Sequence, residues 1–273
     1  MKRMLTLLAG IAMTCSALAQ SDSTKKQSDT IRIGNMIIVR SPGNEDQNER
    51  QRTRIYRRTH KPGNLSTNWF VVDLGFANYN DKTNYSSAEA QAFAPGATKD
   101  WFKLRTIKSS NFNLWIFMQR LNVIKHVVNL KYGLGLETNN YRFDEPIKFE
   151  TEPATKVVMD NSTHYKKNKL SADYATIPMM LNINFTPKRE KGFNLSVGAS
   201  AGYLYASRQK TITDADGKRK KRDDFDLRPW KLSYIAEMGM GPVKVYGSYA
   251  TQSMFEKGLD MTPYSIGIRL SSW

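Results

Sequence analysis

The sequence predicts an all-β fold, an eight-stranded antiparallel up-and-down transmembrane β-barrel that follows a mostly irregular N-terminal extension. Three observations predict this fold. Apolar and polar residues alternate through eight segments after residue 66, as in strands with one apolar and one polar face. Most segments reach the ~9–11 residues that a tilted membrane strand needs. Long and short connections alternate between the segments, which is typical of bacterial outer-membrane barrels.

Residues 1–19 have the features of a secretory signal peptide. Two basic residues precede the apolar run 5–13, and small residues stand at 17 and 19. The run is shorter than the ~20 residues of a membrane helix. We therefore expect cleavage after Ala19 and export to the outer membrane. The alternative is a lipidated Cys15 at a lipoprotein cleavage site, although the three residues before it match such a site poorly.

The chain is strongly basic. It has 41 Lys and Arg against 25 Asp and Glu, a net charge of +16, and the charge stays strongly positive once the signal peptide is removed. Such an excess favours an anionic neighbour, which would be nucleic acid, lipid headgroups or lipopolysaccharide phosphate, and export argues against nucleic acid. Cys15 is the only cysteine and is lost with the signal peptide, so we expect no disulfide framework and no cysteine metal site.

Residues 20–66 form a polar, basic extension that we expect in the periplasm, where it can contact peptidoglycan or a partner. Low apolar content with many like charges is typical of a solvated segment. The two β-prone runs on either side of Gly34-Asn35 can form a short β-hairpin. A linker with one apolar patch is the alternative. The basic residues near its end are Arg50, Arg52, Arg54, Arg57, Arg58 and Lys61.

We assign the barrel to residues 67–273. In the first segment Phe70, Val72 and Leu74 alternate with small or charged residues such as Asp73. The same strict alternation marks 128–137, 175–185 and 193–205. Weaker alternation completes the set of eight at 111–121, 230–240, 243–252 and 262–272.

The connections between these segments support the same fold. Long loops are expected at 80–110, 143–169 and 208–229, and they alternate with short turns at 122–125, 186–192 and 241–242. Bacterial barrels have short periplasmic turns and longer outer loops, and an even strand count places both termini in the periplasm. A soluble β-sandwich is the alternative fold. It would need polar residues at the outward positions, which are apolar here.

One strand resembles a known family. Tyr174-Ala175-Thr176-Ile177-Pro178-Met179-Met180-Leu181 is similar to the Tyr-x-x-Ile-Pro strand of the PorT-like outer-membrane β-barrel domain family of Bacteroidota. Later residues that are similar to its subsequent strands are Gly198, Gly202, Tyr203, Leu204, Gly239, Tyr246 and Tyr249. The resemblance covers roughly the second half of the chain. It implies an eight-stranded barrel with periplasmic termini, little chemistry, and a role in a secretion or envelope complex.

Five charged residues fall on the polar face of the predicted strands and are expected in the barrel lumen. An eight-stranded barrel is only wide enough to be filled by side chains. Opposite charges there should pair, because unpaired buried charge is costly. The sequence therefore predicts a polar plug and no open pore, with a proton or ion path as the alternative. The five residues are Asp73, Lys131, Glu137, Glu237 and Arg269.

The second long loop contains one thin candidate for catalysis, formed by Asp160, Ser162 and His164. It would suit a small lipid-modifying enzyme that acts on lipopolysaccharide. Nucleophilic catalysis requires a fixed contact between nucleophile and base, and we expect this polar loop to be solvated. We therefore expect no catalytic residue, no cofactor and no metal site. The leading hypothesis is a structural, adhesin-like or envelope-complex role.

The third long loop contains a run of five cations after Asp216-Gly217. Asp-Gly is typical of a hairpin tip, so the run is expected to stand outside the membrane. Cations there can bind lipopolysaccharide phosphates electrostatically. A merely solubilising loop is the alternative. The five residues are Lys218, Arg219, Lys220, Lys221 and Arg222.

Overall fold

The computed structural model describes the strand backbone of residues 29–33, 36–40 and 55–57, together with residues 63–186 and 192–271. The expected signal peptide and its cleavage site after Ala19 lie outside the described residues. Most of the basic cluster of the extension also lies outside them. The chain divides into two units, Met1–Pro62 and Gly63–Trp273.

The first unit contains a three-stranded antiparallel sheet. Its strands are β1 (Asp29–Ile33), β2 (Met36–Arg40) and β3 (Ile55–Arg57), in the order β1-β2-β3. The first two strands coincide with the β-prone runs on either side of Gly34-Asn35. They pair from Ile33 with Met36 to Asp29 with Arg40.

The second unit is dominated by β-strands. They are β4 (Leu65–Asp81), β5 (Ser110–Ile124), β6 (Val128–Arg142), β7 (Ile147–Glu150), β8 (Lys156–Met159), β9 (Tyr165–Asn184), β10 (Phe193–Thr213), β11 (Gly217–Arg222), β12 (Trp230–Met240), β13 (Val243–Ala250) and β14 (Met261–Leu270). The first of them begins at Leu65, inside the range expected for the extension.

Eight of these strands close into a barrel. The ring runs β4-β5-β6-β9-β10-β12-β13-β14, every pair is antiparallel, and β14 returns to pair with β4. Closure leaves no unpaired sheet edge in the ring, as a membrane barrel requires. The expected eight-stranded antiparallel barrel is confirmed, and the β-sandwich alternative is wrong.

The barrel wall is apolar outside and polar inside. On β9 the side chains of Ile177, Met179 and Leu181 are 55%, 58% and 54% exposed, whereas Thr176 before them and Asn182 after them are buried. Successive strand residues point to opposite faces, so the exposed apolar set faces outward. A strand of this kind is suited to lipid on one side and a polar lumen on the other.

The connections differ sharply between the two ends of the barrel. At one end β5 joins β6 and β12 joins β13 through tight turns; β9 and β10 are joined at the same end through residues 187–191, which are not described. At the other end, long loops contain the helix α1 (Ala88–Phe93), the β7–β8 hairpin and β11. No helix in the described part of the chain is long and apolar enough to cross a membrane.

The long loops are folded, although Ser162 and His164 in the second of them are exposed to solvent. Together with the adjoining strand ends they enclose one apolar cluster, which we name the loop cap. The sequence did not predict this cluster because its members come from separate loops and strand ends. Its largest fully buried side chains include Phe102, Phe149, Phe225 and Phe255.

Candidate functional site

A network of four buried charges crosses the lumen. Arg269 donates to both carboxylate oxygens of Asp73 through Nε and Nη2, each at 2.7 Å, and to Glu237 Oε2 through Nη1 at 2.6 Å. Lys131 Nζ donates to Glu237 Oε1 at 2.5 Å. All four residues are at most 5% exposed. We name this set the lumen network. It ties β4, β6, β12 and β14 together across the interior.

Aromatic and amide side chains complete the surroundings of Asp73 and Arg269. Trp115 Nε1 donates to Asp73 Oδ2 at 2.7 Å, and Asn113 Nδ2 donates to the same oxygen at 3.1 Å. The guanidinium carbon of Arg269 lies 5.3 Å from the Trp115 ring centre and 5.8 Å from that of Tyr246. Each carboxylate and the guanidinium thus have several partners, which is the condition for holding buried charges stably.

Gly75 makes room for Tyr246 in this layer. A Cβ at position 75 would lie 2.6 Å from the Tyr246 hydroxyl and 2.4 Å from the carbonyl oxygen of Ile266. The absence of a side chain lets the ring cross the lumen, where its hydroxyl donates to Asn111 Oδ1. A glycine in a strand often marks such a close approach.

Glu137, the fifth charged residue expected in the lumen, belongs to a separate pair. Its carboxylate accepts from Lys231 on β12, from Asn139 Nδ2 at 2.9 Å and from Thr176 Oγ1 at 3.4 Å. Sequence reasoning missed Lys231. It also missed Lys244, which donates to Ser271 and lies 4.0 Å from Glu237. Both alternate with outward apolar neighbours, so strand parity was the signal that could have found them.

The lumen contains a small cavity. A cavity of about 30 Å³ lies between the lumen network and the Glu137 pair. This is enough for one or two water molecules, whereas ligand sites usually measure ~300–1,000 Å³. Residues that line it include Asn113, Trp115, Glu137, Tyr246 and Arg269.

The loop cap lies directly beyond the long-loop end of the lumen. Phe149 is fully buried, and its ring centre lies 6.1 Å from that of Phe143, 5.5 Å from Phe225 and 6.3 Å from Phe255. Edge-on and offset aromatic pairs at these separations are favourable beyond the area they bury. The cap therefore has a tightly packed aromatic centre contributed by several loops.

Asp160, Ser162 and His164 do not form a nucleophile and base. Ser162 Oγ donates to Asp160 Oδ1 at 2.6 Å, and Tyr165 donates to Oδ2 at 2.7 Å. These hydrogen bonds, that from Ser162 foremost, lower the pKa of Asp160 to about 2. Within the described residues His164 makes no side-chain hydrogen bond to either neighbour. The same residues contain no group of three His, Cys, Asp or Glu side chains placed to hold a metal.

The five cations after Gly217 lie on β11, and the pairing of β11 with β10 places them on two opposite faces of the hairpin. Gly217 takes a φ of +63° at the hairpin tip and pairs with Thr213. Alternate residues then point to opposite faces of the hairpin. On one face Arg219 pairs with Asp216 at 2.6 Å, and Lys221 Nζ donates to the carbonyl oxygen of Phe149 at 3.3 Å. The other three lie on the opposite face: Lys218, Lys220 and Arg222.

A closed ring with an apolar outer wall and a charged lumen points to a bacterial membrane barrel, and a family comparison decides the matter. The family model described as outer membrane protein beta-barrel domain matches residues 109–251, more than half of the chain. The chain belongs to this family. Bacterial outer membrane barrels have short periplasmic turns and longer outer loops.

Among solved structures, the barrel is similar to Ail, the attachment invasion locus protein of Yersinia pestis. The two share 13% identity over 74% of this chain and 96% of that chain, with a TM-score of 0.30. A likeness this distant carries no argument about function. No curated protein matches the chain.

Proposed function

We propose that this outer membrane barrel is a closed anchor that displays the loop cap at the cell surface, in a structural, adhesin-like or envelope-complex role. The observation that carries the proposal is the lumen network with the loop cap beyond it. Paired charges cross the interior, and a folded apolar cluster lies over its long-loop end. Neither feature suits an open pore, so we infer that the protein conducts no ions.

The folded state of the loop cap supports a recognition role. Loops that pack around Phe102, Phe149 and Phe225 hold their outer residues in one arrangement. A preorganised surface loses less conformational entropy when it binds a partner than a set of mobile loops does. Display of a fixed surface is what an adhesin-like or complex-forming barrel requires.

A finer assignment rests on the strand from Tyr174 to Leu181. Its resemblance to the PorT-like family of Bacteroidota supports a place in a secretion or envelope complex. In this proposal the chain is exported with cleavage after Ala19, and the basic extension of residues 20–66 contacts peptidoglycan or a protein partner in the periplasm. Crosslinking in intact cells, with and without that extension, would identify such a partner.

Enzymatic action on lipopolysaccharide has less support than surface display. Ser162 donates directly to Asp160, whose low pKa keeps it ionised and makes it a weak proton acceptor. We expect the Ser162→Ala and His164→Ala variants to leave the lipid A composition of the producing cells unchanged. A changed lipid A profile in either variant, with normal barrel folding, would establish the enzyme instead.

Conductance across a planar bilayer tests the closed anchor. We expect the full-length mature protein to give no stable current steps, while a large water-filled porin measured in parallel gives them. Insertion is checked by recovering the protein from the bilayer lipid and showing that its gel mobility changes on boiling. Reproducible current steps from properly inserted protein would refute the closed state.

A further inference from the structure

We propose that two strands of the barrel, together with the adjoining loop strand β11, form a binding site for the phosphate groups of lipopolysaccharide. We name it the basic wall; it lies on the outward face of β9, β10 and β11. The proposal deepens the proposed function, because it requires the long-loop end of the barrel to face outward. Its members are Lys167, Lys169, Arg208, Lys210, Lys218, Lys220 and Arg222.

The strand register brings these cations together. Lys169, Lys210 and Lys220 are direct partners across the three strands and form one row. The next row, farther from the apolar band of the barrel, contains Lys167, Ile212 and Lys218, with Ile212 paired to both lysines. The row nearer the membrane joins Ser171, Arg208 and Arg222. Cross-strand partners lie on the same face with their Cβ atoms ~4.5–5.5 Å apart. Seven of the nine positions in this grid are therefore cationic.

The basic wall points sideways, away from the barrel axis. Lys169 and Lys167 are in phase with Ile177 and Met179, the outward apolar residues of the same strand. On β10 a bulge at Tyr205 shifts the phase, so that even-numbered residues become the outward ones. The inward neighbour Gln209 confirms the direction. It is buried and bonds to Asn168 and to the carbonyl oxygen of Ile147.

Exposed aromatic residues indicate where the basic wall lies relative to the membrane surface. Tyr203 and Tyr205 are 49% and 52% exposed, and Trp230 packs against Tyr203 with ring centres 5.0 Å apart. Such outward aromatics sit at the headgroup level of a membrane barrel. At ~3.3 Å per residue, Arg208 lies roughly 10 Å and Lys210 roughly 16 Å farther along β10 than Tyr205. The cations thus begin just beyond the apolar band.

The basic wall carries a large excess of positive charge. Asp173, a carboxylate on this face, pairs with Arg208, and Asp214 at the hairpin tip pairs with Lys166. Within the described residues no carboxylate forms an ion pair with Lys210, Lys218 or Lys220. Like charges placed opposite each other across strands are destabilising. An anion that bridges several of these side chains would remove that repulsion and gain charge-assisted hydrogen bonds.

The position of the basic wall favours a lipid over a soluble partner. On β10 the outward face passes from Tyr203 and Tyr205 to Arg208 and Lys210, so a lipid bound there can also lie beside the exposed aromatic residues and the apolar wall next to them. A lipid with phosphates above its acyl chains satisfies both parts at once. Lipopolysaccharide, the phosphorylated lipid of the outer leaflet, has this chemistry. An acidic polysaccharide or a nucleic acid would engage only the charged part.

The test measures binding of purified lipopolysaccharide to the full-length mature protein in neutral detergent, with dephosphorylated lipopolysaccharide in parallel. The central row is removed in the variant Lys169→Gln/Lys210→Gln/Lys220→Gln. A matched control removes three exposed cations of the first long loop in Lys99→Gln/Lys103→Gln/Lys108→Gln. A third variant keeps the charge, with arginine at 169, 210 and 220. The gel shift on boiling verifies that every variant is folded.

We expect at least a tenfold loss of affinity in the central-row variant and little change in the control and arginine variants. Binding should weaken as salt rises, since exposed charges are screened, and with the dephosphorylated ligand. Equal affinity of the central-row and control variants, or indifference to phosphate, would overturn the proposal. So would binding of acidic polysaccharide in place of lipopolysaccharide. Failure here would leave the closed anchor intact, because the conductance test does not depend on these residues.

Discussion

The lumen and the loop cap are two buried regions of the same barrel, and they differ in the polarity of the side chains that fill them. The lumen holds Asp73, Lys131, Glu237 and Arg269 as paired buried charges. The loop cap holds an aromatic cluster centred on Phe149. The difference follows from what surrounds each part. Where lipid covers the wall, the outer face must be apolar and polar groups are left to the inside. Where water covers the wall, apolar groups are buried inside as in soluble proteins.

Strand β9 shows both arrangements within twenty residues. Toward the end with the short turns its outward residues Ile177, Met179 and Leu181 are apolar and its inward Asn182 is polar. Beyond Tyr174 the faces exchange roles, with Leu170 buried in the loop cap and Lys169 outward. The solvent on each side thus decides which face is apolar, and the change marks where the membrane ends.

The largest expected effect comes from breaking the lumen network. Glu237→Ala leaves Lys131 and Arg269 each short of a buried ion pair, which typically costs ~3–5 kcal/mol. We expect the urea concentration at which the gel-shifting barrel unfolds to fall clearly. Glu256→Ala, which removes an exposed carboxylate from a long loop, serves as the control. Equal midpoints for the two variants would mean that the network contributes little to stability.

A substitution that weakens the packing of the loop cap should leave the barrel folded. Phe149→Ala removes a fully buried ring, a change that costs ~3–5 kcal/mol in packed cores. We expect faster protease cleavage of the long loops in reconstituted vesicles and an unchanged gel shift on boiling. The control is Ile107→Ala, at a side chain that is 86% exposed. Loss of the gel shift in the Phe149 variant would show that cap and barrel unfold as one unit.

The smallest expected effect concerns the loop around Asp160. Hydrogen bonds from Ser162 and Tyr165 lower its pKa to about 2 from the ordinary 3.8. The folded pKa is the lower one, so these bonds stabilise the turn fully above pH ~4 and are lost as the pH falls toward 2. We expect Ser162→Ala to raise the Asp160 pKa, measured by NMR titration of the carboxyl group. An unmoved pKa would assign the shift to Tyr165 alone.

The sequence by itself determined the barrel and much of its lumen. Alternation with period two reports which face of a strand meets an apolar surrounding, and this held along the ring strands apart from the register shifts in β5 and β10. The same parity placed Asp73, Glu237 and Arg269 inside. It could not say which charges pair, because pairing depends on how the strands are registered around the ring. The strand order around the ring separates Glu137 from the four charged residues of the lumen network and places it beside Lys231.

Only the tertiary structure decided the loop cap and the basic wall. The central phenylalanines of the loop cap come from separate loops, and no repeat in the sequence relates their positions. No local pattern therefore predicts that these side chains come into contact. They are Phe102, Phe149, Phe225 and Phe255. The basic wall depends on the bulge at Tyr205, which changes the phase of β10 and turns Lys210 toward Lys169 and Lys220. A one-residue shift reverses every later side chain on a strand, and its position is set by pairing between strands rather than by composition.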